Sequence, residues 1–279
     1  TAPRAPRARL HGATPGAAPA PQGKVVVVFG CRGGLGSTTA AVNLASRAAR
    51  RGFHACVVDL DLHLGDVFVA VDLEPGRSLR AAARDCPQLE PAALRRSLQT
   101  HPNGFQLLSQ VAHPEEVDVE LPRQLPGLFA ELKRAYDLVV VDGVRDFGDA
   151  ALAGLDAASE VLLLVGLDVL SVRRARRVLH LLRKLQYPES RLRLVIADGA
   201  RVGKIPLAEV EAALALRPTA RLRHDAGAAA AALDAGTLLT DGSSSAGRDL
   251  VALADALLPS ERSRGPGKGA FRFFGKGKG

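Results

Sequence analysis

Three unbroken apolar runs constrain the fold more than any other feature of the chain: VVVVF at 25–29, LVVV at 138–141 inside YDLVVVD, and VLLLV at 161–165 inside EVLLLVG. Each is too short for a buried helix, and none alternates as a strand with one wet face must. Such runs mark strands covered on both faces, the pattern of a parallel sheet sandwiched between helices.

The intervening segments supply those helices. From Lys24 the expected order is strand 25–29, a glycine-rich loop, helix about 37–51, strand HACVVDLD, helices near 77–84 and 91–99, strand 105–109 and helix about 122–134. Strands YDLVVVD and EVLLLVG follow, then a long amphipathic helix at about 169–186, strand RLRLVIA, a helix near 206–215, a short strand near 220–223 and helices near 226–234 and 246–258. This alternation predicts an α/β fold with a doubly wound, mainly parallel sheet. The 279 residues, 47% hydrophobic and 24% charged, suit one large domain. No apolar run reaches the roughly 20 residues of a membrane span, and Arg4, Arg7 and Arg9 are not followed by the apolar stretch of a signal peptide. A cytoplasmic body is expected, with Cys31, Cys56 and Cys86 reduced, since they form neither a C-x-x-C pair nor an even framework.

Charge divides the chain into three parts. Residues 1–23, rich in Pro, Ala and Arg, read as a disordered linker; 24–258 form the folded domain; 259–279 are a basic Gly/Phe tail. The net charge of +8 resides in the ends: residues 1–24 carry +4 and 259–279 carry +5, leaving about −1 for the body. DNA binding by the domain is therefore not expected, and the local run Arg173, Arg174, Arg176, Arg177 reads as a solvated helix face or a subunit contact. A linker without methionine in front of it raises the expectation of a processed product and a missing upstream domain.

Ligands of doubly wound sheets bind beyond the carboxyl ends of the strands. After the first strand comes CRGGLGSTT, where Gly33, Gly34 and Gly36 let backbone N–H groups approach an anion at a helix N-terminus. After the second come Asp59 and Asp61, with Asp66 beyond; after LVVV comes Asp142, in the position of a magnesium-holding Walker B aspartate. In this order they define a nucleotide site. Arg32, Gly33, Gly34, Leu35, Gly36, Ser37, Thr38 and Thr39 cradle phosphates, Thr38 and (through water) Asp142 hold Mg²⁺, and Asp59 or Asp61 positions an attacking water. The loop departs from G-x-x-x-x-G-K-[ST]: Cys31 stands for the first glycine and Ser37 for the lysine.

On these motifs the chain resembles the MinD/ParA superfamily. CRGGLGSTTAAVNLA is similar to its deviant Walker A, x-K-G-G-x-G-K-[ST], VVDLDLHLGD to its second acidic motif and YDLVVVD to its Walker B. DLDLHLGD and LVGLDVLSVRRARRVLHLL resemble the TadZ/CpaE-like pilus-assembly branch. The resemblance implies ATP and Mg²⁺ as cofactors, a homodimer with Arg32 in the place of the signature lysine that acts in trans, and a positioning role, polar or at the inner membrane face, for a pilus or secretion assembly. It also marks two departures on the base side, Asp198 in place of an adenine-reading asparagine and Arg223 in place of a proline.

Three alternatives stand beside a nucleotide-responsive positioning protein with slow or absent hydrolysis: a scaffold that no longer binds ATP, a division-site or chromosome-partition ATPase, and a short-chain dehydrogenase. The last matches Gly30, Gly34 and Gly36, but its Tyr-x-x-x-Lys pair is lacking, because Tyr136 and Tyr187 are followed four positions on by Val140 and Arg191. In the tail, Phe271, Phe273 and Phe274 among basic residues suggest either a partner-docking or solubilising segment or peripheral membrane contact, with five glycines opposing a helix.

Overall fold

A computed structural model describes residues 22–110, 113–117, 119–199 and 205–259. The expected linker and tail thus lie almost wholly outside the described residues, as does the aromatic segment 267–279.

Eight strands form one sheet: β1 (Lys24–Gly30), β2 (Ala55–Asp59), β3 (Gln99–Thr100), β4 (Gln106–Leu108), β5 (Leu138–Val144), β6 (Glu160–Gly166), β7 (Leu192–Asp198) and β8 (Pro218–Arg223). Their order is β3-β4-β2-β5-β1-β6-β7-β8. All neighbours are parallel except β3 and β4. The helices are α1 (Ser37–Arg50), α2 (Leu79–Asp85), α3 (Pro91–Ser97), α4 (Glu120–Ala135), α5 (Asp149–Ala157), α6 (Val169–Lys184), α7 (Leu207–Leu214), α8 (Ala226–Asp234) and α9 (Ser245–Leu257).

Both faces of the central strands are dry, as the unbroken runs require. Val25, Val27 and Phe29 point into one layer, with Leu125, Phe129 and Leu179 of α4 and α6; Val26 and Val28 point into the other, with Leu44 of α1 and Leu250 of α9. Burying one such side chain stabilises by about 1.5–3 kcal/mol, so β1, β5 and β6 anchor the molecule. Arg47 ties α1 to α9 through a two-pronged pair with Asp255, at 3.0 and 2.9 Å.

One expectation needs correction. The helix placed at 91–99 ends at Ser97, and Gln99–Thr100 become an antiparallel edge strand on β4. The cause lies downstream: His101–Gly104 make a tight turn, closed by Gly104 at φ 91°, which returns the chain alongside itself.

Candidate functional site

β1 lies between β5 and β6; its own connection runs through α1 to β2 on one side and that of β5 runs through α5 to β6 on the other, so the strand order reverses here, and the crevice at its carboxyl end is where such folds bind ligands. The loop Cys31–Gly36 fills this position. Cys31 N donates to Leu164 O of β6 (3.1 Å), fixing where the loop leaves the sheet. Gly34 (φ 73°) and Gly36 (φ 80°) adopt left-handed backbone conformations, which a side chain disfavours. Gly36 caps α1 without a side-chain acceptor, leaving the helix's first N–H groups directed at the crevice. Burial pushes the Cys31 thiol up to about 12, so it is an inert packing group.

The acidic residues separate into two environments. Asp59 and Asp142 are direct neighbours across the β2–β5 ladder and are only 1% and 3% exposed. Thr38 Oγ1 donates to Asp142 Oδ2 at 2.6 Å, and Asp61 N donates to Asp59 Oδ1 at 2.9 Å. The remaining oxygens, Asp59 Oδ2 and Asp142 Oδ1, are buried without a hydrogen-bond partner among the described residues. Burial, then the Asp142 charge, pushes the Asp59 carboxyl up to about 7; burial also raises Asp142, against the Thr38 hydrogen bond. Asp61 lies instead at the rim, ion-paired with Arg145.

The backbone encloses Asp59 closely. A Cβ on Gly65 would overlap Asp59 Oδ2, and Gly143, at φ 79°, leaves room that a side chain would take from Asp59 Oδ1 and Asp61 N. The turn GD after LHL therefore folds over the carboxylate.

Arg32 projects from the loop to the other half of the sheet. Its Nε donates to Asp168 Oδ2 at 3.1 Å, and Asp168 Oδ1 caps α6 by accepting from Ser171 N at 2.9 Å. Ser37 opens α1 with its Oγ beside Gly30. No lysine lines the cleft among the described residues.

From the loop a cleft of about 520 Å³ runs between the carboxyl ends of β6, β7 and β8, bordered by Arg32–Gly36, Thr39, Asp168, Asp198, Arg223 and His224, with an apolar wall including Leu222, Leu239 and Leu250. Asn43 stiffens that wall: its amide donates to Thr39 O (2.8 Å) and accepts from Thr240 N (2.9 Å), linking α1 to the turn holding Leu239. At the far end Arg221 Nε donates to Asp198 Oδ2 at 3.0 Å, and Arg223 is held by Asp249. Of the residues expected from the sequence, Arg32–Gly36 and Thr39 border the cleft and Asp142 lies against Thr38. Sequence reasoning missed Asp168, Arg145 and Gly65; Asp168 carried only a helix-cap signal and the others none.

The residues fit a hydrated divalent cation. Two carboxylates with unpartnered oxygens beside a hydroxyl form a hard-oxygen set, with the neighbouring Arg145 engaged by Asp61. No cluster of three or more His, Cys, Asp or Glu able to hold a metal alone occurs among the described residues, so phosphate and water oxygens would complete the shell.

Comparison with known proteins agrees with this geometry. No protein-family profile matches the chain. The antiactivator FleN of Pseudomonas aeruginosa is 30% identical over 164 residues, 58% of this chain and 57% of FleN. The chain thus spans less than two thirds of that relative. Its fold matches the ParA-family ATPase of Chlorobium tepidum (TM-score 0.75, 20% identity, 84% of this chain and 99% of that one) and the septum site-determining protein MinD of Pyrococcus horikoshii complexed with Mg-ADP (TM-score 0.69, 17% identity, 84% and 95%). The glycine loop, its buried aspartates and this fold define a P-loop protein. In sequence the chain is similar to FleN, to the chromosome-partitioning ATPase Soj and to the septum site-determining protein MinD, and in fold to MinD and ParA-family ATPases.

Proposed function

We infer that the chain is a nucleotide-responsive positioning protein that binds Mg-ATP modestly and hydrolyses it slowly or not at all. The observation that supports this most directly is the buried Asp59–Asp142 pair beside Thr38, two carboxylates whose free oxygens are costly unless a cation compensates them. Thr38 would hold Mg²⁺ directly and Asp142 through water; when bound, the ion supplies charge neutralisation at the phosphates.

The other groups divide the work. Backbone N–H groups of Gly33–Thr38 and the α1 N-terminus hold phosphate oxygens, and the Leu222–Leu239–Leu250 wall takes the base. Asp61, at the rim beside Arg145, or Asp59, once ionised, orients the water. Ser37 offers a neutral hydroxyl where a lysine charge would serve developing negative charge. Losing one such contact costs about 1.5–3 kcal/mol of binding, and more in the transition state, on the order of 3–4 kcal/mol. Binding therefore outlasts turnover.

The reading extends to a homodimer across the loop face, with Arg32 leaving Asp168 to reach the partner's nucleotide. It extends also to a pilus or secretion assembly as the object positioned, supported by the likeness of DLDLHLGD to the TadZ/CpaE-like branch, and to action in the cytoplasm, polar or peripheral at the membrane. Among the described residues no helix is long and apolar enough to cross a membrane.

Calorimetric titration with Mg-ATP and a phosphate-release assay test the core of this reading. Dissociation constants between micromolar and millimolar, with release far below that of the Ser37→Lys variant, are expected. No heat at several millimolar Mg-ATP would instead leave a scaffold that no longer binds nucleotide.

A further inference from the structure

The outer face of α6 carries a run of charges that the candidate nucleotide site does not use. Arg173, Arg174, Arg176 and Arg177 are all exposed, and none has a hydrogen bond or ion pair among the described residues, unlike Arg183 of the same helix, which binds Glu189. A merely solvated helix usually intersperses acids at i±4 to relieve such repulsion; α6 contains none.

Apolar side chains share this face. Leu170 is 68% exposed, Leu185 49% and Leu181 39%. At 100° per residue Leu170, Arg174, Arg177 and Leu181 fall on one line, with Arg173 and Leu185 at its margins, opposite the buried Val172, Ala175, Leu179 and Leu182. At its inner end Arg174 and Arg177 border a depression against the glycine loop, together with Arg32 and Arg145.

We propose that this face docks an acidic amphipathic helix of a partner protein, its carboxylates on Arg173, Arg174 and Arg177 and its apolar residues on Leu170, Leu181 and Leu185. Four observations select that occupant. Nucleic acid would pair the arginines but leave the leucines in water, and the folded body outside the basic ends carries about −1. The chain's own ends, at +4 and +5, are repelled. A two-fold contact with a second copy would set these arginines against themselves. Desolvated arginine beside apolar anchors is the composition of protein-interface centres. The inference is independent of nucleotide binding.

The test uses the full chain and a fluorescent helical peptide carrying Glu and Leu at i, i+3, i+4 and i+7 spacing, followed by anisotropy. Expected are saturable binding below about 0.1 mM, no binding of the same peptide with Lys for Glu, and at least about tenfold weakening by both Arg174→Glu/Arg177→Glu and Leu170→Ser/Leu181→Ser. Circular dichroism of each variant guards against unfolding, and these exposed positions should leave it unchanged. Absence of peptide binding at that concentration overturns the proposal. So does tighter binding of a 20-base-pair duplex or of phosphatidylglycerol vesicles that is sensitive to the arginine pair but not the leucine pair. Loss of self-association in the arginine variant would reassign the face to a second copy.

Discussion

Asp59 and Asp142 sit side by side on adjacent parallel strands, each with a buried oxygen that lacks a hydrogen-bond partner among the described residues. With burial and the Asp142 charge lifting the Asp59 carboxyl to about 7, the native state keeps a proton that the unfolded chain releases near pH 4. Stability therefore falls as pH rises from about 4 to about 7 and stays lower above it. Asp59→Asn, which can still accept from Asp61 N, should leave the thermal midpoint unchanged near pH 4 and raise it at pH 8. A three-unit shift sets a ceiling of about 4 kcal/mol. Melting curves in EDTA at both pH values check the sign; an equal gain at both would show that ionisation is not the cause.

Removing the Thr38 partner should act on the ion and spare the rest of the site. For Asp142→Ala, nucleotide affinity measured with Mg²⁺ should drop about tenfold and approach the value in EDTA, which itself stays near that of the parent chain. Equal losses with and without Mg²⁺ would assign Asp142 a purely structural role.

The Ser37 position supplies the reciprocal test. Ser37→Lys restores a point charge beside an otherwise intact cradle, and should tighten Mg-ATP binding by about tenfold or more. Phosphate release should rise by a larger factor. A variant that folds but gains neither would place the defect elsewhere in the loop.

Arg32 has two competing acceptors in this scheme, one in its own chain and one across a dimer. Asp168→Asn keeps the cap on Ser171 N while removing the carboxylate charge. Freed of its ion pair, Arg32 should promote ATP-dependent dimerisation, lowering the dimer constant several-fold in sedimentation; Arg32→Ala should abolish it. Monomers in both variants, with and without ATP, would rule out a trans role.

Gly65 tests the fold around Asp59. Gly65→Ala places a methyl group on the carboxylate and should cost about 2–3 kcal/mol. In Asp59→Ala the overlap with the carboxylate is gone and only the close approach to the Asp61 carbonyl remains, so the double variant should be more stable than the two single losses predict. Denaturant titrations of the four proteins measure that coupling.

The elements driven by local patterns were legible in the sequence. VVVVF, LVVV and VLLLV announced β1, β5 and β6 because strands buried on both faces must be apolar throughout, and the glycines around Leu35 announced the loop, whose Gly34 and Gly36 have φ above zero. α3 was overextended because SLQT continues a helical pattern until the Gly104 turn folds it back. The site's remaining partners are long-range: Arg32 meets Asp168 across 136 residues and Arg145 meets Asp61 across 84. Such pairings depend on strand order, which periodicity does not encode.

The glycine loop is fastened on both sides of the point where the sheet changes direction. Thr38 is tied to Asp142, on the strand toward β2, and Arg32 to Asp168, at the head of the helix that follows β6. It works as a clasp between the two halves of the sheet, beside longer-range ties such as Asn103 to Asp241. On the proposed reading, a ligand that opens either fastening would shift the load onto the other, so occupancy of the crevice would reach the α6 cap even if no bond in the ligand is ever broken.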